Sequence, residues 1–499
     1  MRIVLWDTRR RGVGKDFAGG FGVGRYTAAR GLPGLVMRNF IGREHRPVAL
    51  LYAHLAAIFR RRSHQVEFCE DRIPAGAEVY VFNPALMTLD LERRAMAEVL
   101  TQQPRPRVLV IGALATHLSE AFAGRGATIV RGEAEQLHWQ LDEVLASDEE
   151  TIDVGQVEDL DRLPLPDWSP FRPGRFRLRH DFWQFPTALV QASRGCALAC
   201  DYCPYIAGGR ALRQREPEAV ADEIRWLAAR HNFRSFKFRD PLFGADPRRA
   251  WELVERLGRL PKRVQFSVES RLQFLPDDLL AALARVGLTS VTFGAETPDA
   301  GLLREHSRAP LTAEREREFV ERCRRLGLRT VAGFMLGFAG DTEASIRAVQ
   351  RYARWLNPTL ANFNVVTPYP GTAFYRQMQP RIRSFDFSRF DGYTSVIAGE
   401  HLAAEDIHRL LEKTFVRHYF RGSYLKANWR LLWPRAANLA DQLASGLRRD
   451  HRLARNGEEP AASHGGPWRR FDSADNQSDG LHAAGAVASD PNPPLTVIG

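Results

Sequence analysis

The chain has 499 residues, a net charge of +11, and contents of 44% hydrophobic and 26% charged residues. This length suffices for roughly two to four domains, and the composition excludes fibrous and low-complexity classes. The charge comes from 65 Arg and only 5 Lys. No block of five basic residues and no nucleic-acid motif accompanies it, so we interpret it as solvated surface and expect no nucleic-acid binding.

The start of the chain and its apolar runs exclude two kinds of targeting segment. Residues 1–7 acquire charge too early for a secretory signal, and no apolar run reaches the ~18 residues of a membrane span. The five cysteines are sparse and odd in number, which argues against a disulfide framework. We therefore expect a protein of the reducing cytoplasm.

Strands and helices alternate over the first part of the chain. Apolar runs predict strands at 2–7, 65–70, 78–82, 107–112 and 127–131, and helical periodicity predicts helices at 47–62, 89–102, 116–123 and 134–146. This α/β alternation predicts a doubly wound parallel sheet over 1–150, with helices on both faces. Ligands of such sheets bind beyond the carboxyl ends of the strands, although the small residues found there also suit tight turns.

A glycine-rich stretch from Gly12 to Gly42 interrupts this alternation after the first strand. Its run Gly-Gly-Phe-Gly-Val-Gly at 19–24 is a poor dinucleotide fingerprint, because it does not join a strand directly to a helix and lacks a supporting acid. We interpret the stretch as a mobile loop.

A second alternating region follows a linker. Residues 151–184 are rich in Pro, Asp and Arg and lack periodicity, which predicts the linker. Over 185–375, strands are predicted at 186–192, 234–239, 264–269, 289–295, 329–336 and 360–366, with helices at 216–231, 247–259, 276–286, 312–326 and 341–356. Six β/α units predict a partial (β/α)6 TIM-type barrel with its active groups at the carboxyl strand ends. We expect a helical region at 376–445 and a disordered tail at 446–499.

Three cysteines lie close together directly after the first barrel strand. Cys196, Cys200 and Cys203 have the spacing C-x3-C-x2-C, in a loop marked by Gly, Asp and Pro. Three thiolates can hold a 4Fe–4S cluster and leave one iron without a protein ligand. Two alternatives stay open: a structural zinc site with His231 as fourth ligand, and three buried cysteines without a metal.

This loop, with Tyr202 just before its last cysteine, resembles the radical S-adenosylmethionine (SAM) enzymes. The resemblance implies that the three cysteines are the cluster ligands, that SAM binds the open iron, and that Tyr202 contacts the adenine. It also implies reductive cleavage of SAM to a 5′-deoxyadenosyl radical, and an electron donor such as flavodoxin or ferredoxin.

Polar residues at the barrel strand ends extend the resemblance to a SAM pocket. By position it implies SAM contacts from Asp240, Ser267, Glu269, Arg271, Gly294 and Glu296, although the usual G-G-E is absent and Arg271 also suits a surface ion pair. Gly-Phe-Met-Leu-Gly-Phe at 333–338 and Pro-Tyr-Pro-Gly-Thr at 368–372 are typical of the cobalamin-associated branch of the family.

The first domain resembles the cobalamin-binding domains fused to such enzymes. Ser-His-Gln-Val at 63–66, Gly-Glu-Ala-Glu at 132–135 and the stretch at 160–168 carry this resemblance, which implies cobalamin contacts from Gly112, Thr116, Gly132 and Glu133. Three departures count against it: Ser63, Ala134 and a long first loop. The D-x-H-x-x-G signature is absent, so no histidine is predicted as a cobalt ligand. A domain of the same fold without cobalamin is the alternative.

We therefore predict a radical SAM enzyme, a cobalamin-dependent methyltransferase acting on an unactivated carbon of a small molecule, a lipid or a peptide. The first alternative is a cobalamin-associated radical SAM enzyme that catalyses a cyclisation, rearrangement or oxidation without methyl transfer. The second is a metal-binding protein that is not an enzyme. Methylthio transfer to RNA is disfavoured, because that family carries three further cysteines in its first domain and this chain has only Cys69 there.

Overall fold

The computed structural model describes residues 1–8, 13–24, 26, 47–70, 72–206 and 209–429. Most of the predicted mobile loop and all of the predicted tail at 446–499 lie outside the described residues.

The first sheet has six strands: β1 (Arg2–Trp6), β2 (Gln65–Cys69), β3 (Val79–Phe82), β4 (Arg107–Val110), β5 (Thr128–Arg131) and β6 (Thr151–Asp153). Their order is β2-β1-β3-β4-β5-β6, and all neighbouring pairs are parallel. The direction of strand addition reverses at β1. The crevice for a ligand in such folds therefore lies beyond the carboxyl ends of β1 and β3.

Helices cover both faces of this sheet: α1 (Leu50–Arg61), α2 (Leu89–Leu100), α3 (Gly112–His117) and α4 (Leu137–Ala146). Successive strand residues point to opposite faces. Accordingly, Ile3 and Leu5 share a core cluster with residues of α1 and α4, whereas Val4 and Trp6 share one with residues of α2 and α3. The predicted doubly wound sheet is confirmed.

The second sheet also has six parallel strands: β7 (Thr187–Val190), β10 (Ser235–Phe238), β11 (Gln265–Glu269), β12 (Leu288–Glu296), β13 (Arg329–Leu336) and β14 (Leu360–Val365). They follow one another in chain order across the sheet. A short antiparallel hairpin of β8 (Ser193–Arg194) and β9 (Arg213–Gln214) stands beside β7. This arrangement is the predicted partial barrel.

The barrel helices are α5 (Pro217–His231), α6 (Pro247–Gly258), α7 (Asp277–Val286), α8 (Ala300–Glu305), α9 (Ala313–Arg325) and α10 (Glu343–Leu356). They pack on the outer strand residues, such as Phe236, Phe266 and Val268, in one apolar core. Two helices follow the barrel, α11 (Ala373–Met378) and α12 (Ala404–Tyr419), and a further helical stretch occupies 422–429.

Three elements differ from the predictions. β6 lies inside the predicted linker, because it is a three-residue polar edge strand without an apolar run. α3 begins at Gly112, four residues before the predicted start. Residues 379–403 contain short 3-10 turns and irregular chain rather than helix. Among the described helices, none is both long and apolar enough to cross a bilayer.

The barrel lumen is asymmetric. Along β12, β13 and β14, lumen-facing residues such as Thr292, Val331 and Asn362 are only partly buried, and alternate with buried outward residues. Along β10 and β11, the lumen-facing Lys237 and Ser267 are almost fully buried. TIM barrels usually fill their interior with side chains. Here one half of the lumen is filled and the other half is open.

Candidate active site

The cysteine loop, residues 195–204, leaves the carboxyl end of β7 through β8. The backbone N–H of Cys203 donates to the carbonyl of Cys200 at 3.3 Å, and that of Cys196 donates to the carbonyl of Gly209 at 3.2 Å. These bonds hold the three cysteines on one compact turn at the carboxyl edge of the barrel.

The three thiols are partly exposed and free of disulfides. Burial raises the pKa of Cys196, and that of Cys203 to about 12, so a bound metal would be needed to deprotonate them. Within the described ranges, no group of three or more His, Cys, Asp or Glu side chains is arranged so that it could hold a metal ion. His231 instead packs its ring against Trp226 and Phe233. The all-thiol donor set fits a multi-iron cluster better than one zinc ion.

Arg308 connects the cysteine loop to the end of β12. Its Nη2 donates to the carbonyl of Gly294 at 2.5 Å and lies 3.3 Å from Oε1 of Glu296, and its side chain also hydrogen-bonds Cys200. Burial opposes the charge of Arg308, yet the Glu296 carboxylate raises its pKa. Glu296 sits in the left-handed region at φ +57°, at a break in strand register. Two predicted SAM contacts, Gly294 and Glu296, thus form one unit with a cysteine of the loop.

Two other predicted SAM contacts hold the backbone of the surrounding loops. Asp240 accepts from the N–H of Ala192 at 3.0 Å and the hydroxyl of Ser193 at 2.7 Å, just before the cysteine loop. Burial raises its pKa to about 6. Arg271 donates to the carbonyl of Ala309. Both side chains shape the site from outside the cavity described below.

Glu269 belongs to a buried ionic network on the filled side of the lumen. Its Oε1 lies 2.9 Å from Nη1 of Arg239 and 3.3 Å from Nζ of Lys237. Lys237 also lies 3.1 Å from Oδ2 of Asp181, a residue of the predicted linker that enters the barrel. Burial would raise the pKa of Glu269, but Arg239 and Lys237 outweigh it and lower the pKa. The hydroxyl of Tyr205 donates to Oε2 of Glu269 at 3.3 Å.

The last two predicted SAM contacts differ in their surroundings. Ser267 is fully buried, and its Oγ has no hydrogen-bond partner among the described residues. Tyr202 is 8% exposed. Its ring meets His306 and Phe338 edge-on, with centroids 5.8 and 5.9 Å apart. This packing fixes the tyrosine beside the last cysteine of the loop.

A cavity of about 580 Å³ occupies the open half of the lumen, hereafter the lumen cavity. Its lining includes, among the predicted site residues, Cys200, Cys203, Tyr202, Glu269, Gly294 and Glu296. Asp240, Ser267, Arg271 and Cys196 are not among its lining residues. The structure therefore brings two cysteines and four predicted SAM contacts to one enclosed space.

The predicted cobalamin contacts are engaged within the protein. The Cβ of any residue replacing Gly112 would lie 2.2 Å from Oδ1 of Asn83. Thr116 donates its hydroxyl to the carbonyl of Gly112 and accepts from the N–H of Gly132, both at 3.1 Å. These residues shape the strand-to-helix turns of the first sheet.

Glu133 lies in a buried ionic clamp with Glu135, Arg194 and Arg213. Its two oxygens receive Arg213 in bidentate fashion at 2.5 and 2.9 Å. Arg194 lies 3.1 Å from Glu133 and 2.9 Å from Glu135. The arginines belong to β8 and β9, which border the cysteine loop. The clamp therefore joins the turn after β5 to the base of that loop.

Residues 13–24, hereafter the glycine-rich segment, are tied to the first sheet. Lys15 lies 2.6 Å from Oδ1 of Asp7, at the end of β1, and also pairs with the buried Glu92 of α2. Thr8 donates to Glu92 at 2.7 Å. Backbone bonds between Gly14 and Val23 close the segment into a loop. These contacts contradict the prediction of a mobile loop for these residues; residues 27–46 lie outside the described chain.

The glycine-rich segment fills the space between the two carboxyl edges. Phe21 is fully buried, with ring centroids 5.9 Å from His117 and 5.5 Å from Tyr369. A Cβ on Gly19 would lie 2.1 Å from the carbonyl oxygen of Pro204 in the cysteine loop. Gly19 thus allows a close approach of the glycine-rich segment to the backbone of the cysteine loop.

Sequence reasoning missed Arg308, Lys237 and Phe21. Arg308 lies in a loop with no recognisable pattern. Lys237 had a signal, because a lone charge in the apolar strand 235–238 indicates a buried pair. Phe21 was hidden among glycines, and no sequence signal shows what it packs against.

Comparison with known proteins agrees with this geometry. Residues 190–353 match the family model described as the Radical SAM superfamily. This part of the chain is a radical SAM domain. Such a domain implies a 4Fe–4S cluster and SAM, and the thiols and cavity described above fit both.

Three relatives with sequence similarity are methyltransferases or a methylase by name. An uncharacterised methyltransferase, PH0819, of Pyrococcus horikoshii is 23% identical over 272 residues, covering 54% of this chain and 58% of that protein. The bacteriochlorophyllide d C-12(1)-methyltransferase of Chlorobaculum tepidum is 24% identical and covers 63% and 69%. The hopanoid C-3 methylase of Methylococcus capsulatus is 26% identical and covers 48% and 45%. The chain thus spans only about half the length of several relatives.

Solved structures share the fold over both sheets. The radical SAM methyltransferase TsrM of Kitasatospora setae, with cobalamin and a 4Fe–4S cluster bound, superposes with a TM-score of 0.54 at 16% identity over 76% of this chain and 75% of that one. The cobalamin-dependent radical SAM enzyme OxsB superposes with a TM-score of 0.59 at 13% identity over 84% and 67%. At these identities the likeness shows the fold.

Proposed function

We propose that this chain is a radical SAM enzyme that transfers a methyl group to an unactivated carbon of a small-molecule, lipid or peptide substrate. One observation carries the proposal: two cysteines of a radical SAM domain line the same cavity as four of the predicted SAM contacts, at the end of the cavity away from its exposed rim. Reactive carbon chemistry requires such exclusion of water.

The residues that would hold the cofactors are Cys196, Cys200 and Cys203 for the cluster, with Tyr202, Gly294, Glu296 and Arg308 beside SAM. When bound, the cluster and SAM supply a carbon-centred radical that removes a hydrogen atom from the substrate. Tyr202 presents a rigid ring to the ligand. The Arg308–Glu296 pair holds the end of β12 against Cys200, and the barrel walls keep water from the reacting carbon.

Methyl transfer rests on the similarity to named methyltransferases, and cobalamin on its presence in the TsrM and OxsB structures. In this chain, however, the glycine-rich segment fills the gap between the two sheets, and the predicted cobalamin contacts already bind protein groups. We therefore derive no step through cobalamin.

A second candidate function follows from that filled gap. Radical chemistry without methyl transfer, such as cyclisation, rearrangement or oxidation, needs the cluster, SAM and the lumen cavity but no ligand between the sheets. The mostly buried Lys15 and the fully buried Phe21 favour this candidate, because displacing them would expose a charge pair and an aromatic core residue.

The deciding experiment is anaerobic reconstitution of the full chain, followed by reduction with dithionite in the presence of SAM. We expect 5′-deoxyadenosine from the wild type and none from Cys200→Ala. Methyl transfer predicts S-adenosylhomocysteine and a cobalamin absorption spectrum after loading; the second candidate predicts neither. Absence of 5′-deoxyadenosine in every condition contradicts both.

The identity of the electron donor and the cellular compartment are also proposals. The tip residues Ala197 and Ala199 of the cysteine loop are exposed, which suits electron delivery by a protein such as flavodoxin or ferredoxin. A cluster of this kind is sensitive to oxidation, which supports a reducing cytoplasm.

A further inference from the structure

The charged residues lining the lumen cavity all have a charged neighbour of opposite sign. Lys237 lies 3.1 Å from Asp181 and 3.3 Å from Glu269. At the cysteine end, Glu296 pairs with Arg308 at 3.3 Å. His180, also in the lining, faces Asp181 at 3.3 Å. Among the described lining residues away from the cysteine end, each formal charge is therefore already paired with one of opposite sign.

The wall opposite these pairs is aromatic and aliphatic. Strands β13 and β14 contribute Val331 and Leu360, and helix α12 contributes Phe415 and Tyr419. The chain before α12 and the stretch after it contribute Tyr393, Phe420, Tyr424 and Leu425. This wall is ordered by its own contacts. The ring of Phe415 lies 5.1 Å from that of Phe363, and Tyr419 caps the free edge of β14 at Ala361. It is therefore a preformed apolar surface rather than a collapsed one.

Two amides interrupt this wall. Nδ2 of Asn362 donates to Oδ1 of Asn364 at 2.9 Å, and the hydroxyl of Tyr393 donates to Oδ1 of Asn362 at 2.9 Å. Asn364 lines the cavity, and its amide oxygen is occupied by Asn362. Its amide nitrogen is therefore the group of this side chain that can donate to a neutral oxygen. One fixed polar group in an apolar cavity orients a ligand.

The cavity reaches the surface at its apolar end. Phe420 and Leu425 belong to its lining and are 41% and 48% exposed. The cysteines lie at the other end. An apolar rim favours entry of an apolar ligand, because both surfaces lose water on contact.

We propose that the lumen cavity selects an uncharged, largely apolar substrate with one hydrogen-bonding oxygen, seated against the aromatic wall with that oxygen at Asn364. The inference deepens the proposed function and rests on it for the reaction at the cysteine end. A charged substrate would lose its hydration without gaining a counter-charge, which is costly inside a protein. Carboxylated, phosphorylated and cationic substrates are thereby disfavoured.

The test uses three fused-ring fluorophores of similar shape on the reconstituted full chain at pH 7.5: 1-aminoanthracene, which is neutral; 9-aminoacridine, a cation; and anthracene-2-carboxylate, an anion. We expect the neutral probe to bind at least about tenfold more tightly than either ion. Equal or tighter binding of an ionic probe overturns the proposal.

Two variants locate the binding. Val331→Phe fills the apolar half, far from the cysteines, and should weaken the neutral probe by about tenfold or more. The matched Val416→Phe, on α12 outside the lining, should leave it unchanged. Asn364→Asp should shift the preference towards the cation. Unaltered binding in both Val331→Phe and Asn364→Asp overturns the proposal.

A separate measurement isolates the proposed function. The electron paramagnetic resonance signal of the reduced cluster should change on addition of SAM in the wild type and in Val331→Phe alike. Loss of this change in the wild type, with selective binding of the neutral probe retained, refutes the radical SAM chemistry and leaves the cavity's selectivity standing.

Discussion

The two parallel sheets differ in what lies beyond their carboxyl ends. At the first sheet this position is filled by the glycine-rich segment, with Phe21 fully buried and Lys15 held between Asp7 and Glu92. At the second sheet it opens into a cavity of about 580 Å³ beside two cysteines. The same architectural edge is thus packed with the chain's own residues at the first sheet and lines a cavity at the second. The comparison shows that the loops at the strand ends determine whether the carboxyl edge of a parallel sheet is packed with side chains or left open as a cavity.

The largest expected effect comes from removing a cysteine at the carboxyl edge of the second sheet. Cys200→Ser removes a cluster ligand, and we expect loss of the broad iron–sulfur absorption near 400 nm after reconstitution, since thiolates hold such clusters. Cys69→Ser is the control, because Cys69 lies on β2 of the first sheet. A variant that retains full absorption and iron content contradicts the assignment of Cys200.

Removing the aromatic ring that fills the carboxyl edge of the first sheet should have the next largest effect. Phe21→Ala removes a fully buried ring between His117 and Tyr369 and should destabilise the fold by about 3–5 kcal/mol. Thermal unfolding measures this, with the exposed Phe385→Ala as control. Phe21→Ala should also bind cobalamin more readily than the wild type if the carboxyl edge of the first sheet is a cofactor site covered by this ring. Unchanged stability would show that the segment does not pack as described.

Breaking the buried ionic clamp between the turn after β5 and the cysteine loop should destabilise the fold less than Phe21→Ala does. Arg213→Met leaves Glu133 buried with one of its two arginines, and we expect about 3 kcal/mol of destabilisation, because an uncompensated buried charge is costly. Chemical denaturation measures it. Arg347→Met, in an exposed pair with Glu343, should change stability by less than about 1 kcal/mol. Equal effects of the two substitutions would contradict a buried clamp.

The smallest predicted effect concerns pH at the open edge. Burial raises the pKa of Asp240 from 3.8 to about 6, so the folded state binds more protons than the unfolded state between these values. Stability should therefore fall as pH rises from about 4 to 6, by about 2 kcal/mol, and then level off. Asp240→Asn should remove this component of the pH profile. A stability that rises through this window in the wild type only would contradict the raised pKa.

Much of the fold was predictable because buried parallel strands are apolar runs. The strands around Val4, Val108 and Phe266 were found within one or two residues. β6 was missed because an edge strand needs no apolar face, and Thr151 and Asp153 carry none. The helix after β4 was placed too late, since Gly112 was assigned to the end of the predicted strand 107–112 although it begins α3.

The candidate site was predictable only where chemistry is local in sequence. Cys196, Cys200 and Cys203 form a pattern within eight residues, so spacing reveals them. Arg308 and Asp181 reach the site from loops distant in sequence. Their roles depend on tertiary contacts to Glu296 and Lys237, which no local pattern encodes.

The contact between Gly19 and Pro204 has a consequence for comparing sequences. Since a Cβ at position 19 would lie 2.1 Å from a carbonyl oxygen, only glycine permits this backbone approach. In a homologous chain with a branched residue at that alignment column, the segment and the cysteine loop must lie farther apart there. The residue at position 19 therefore indicates, from sequence alone, whether the glycine-rich segment of a homologous chain can contact the cysteine loop.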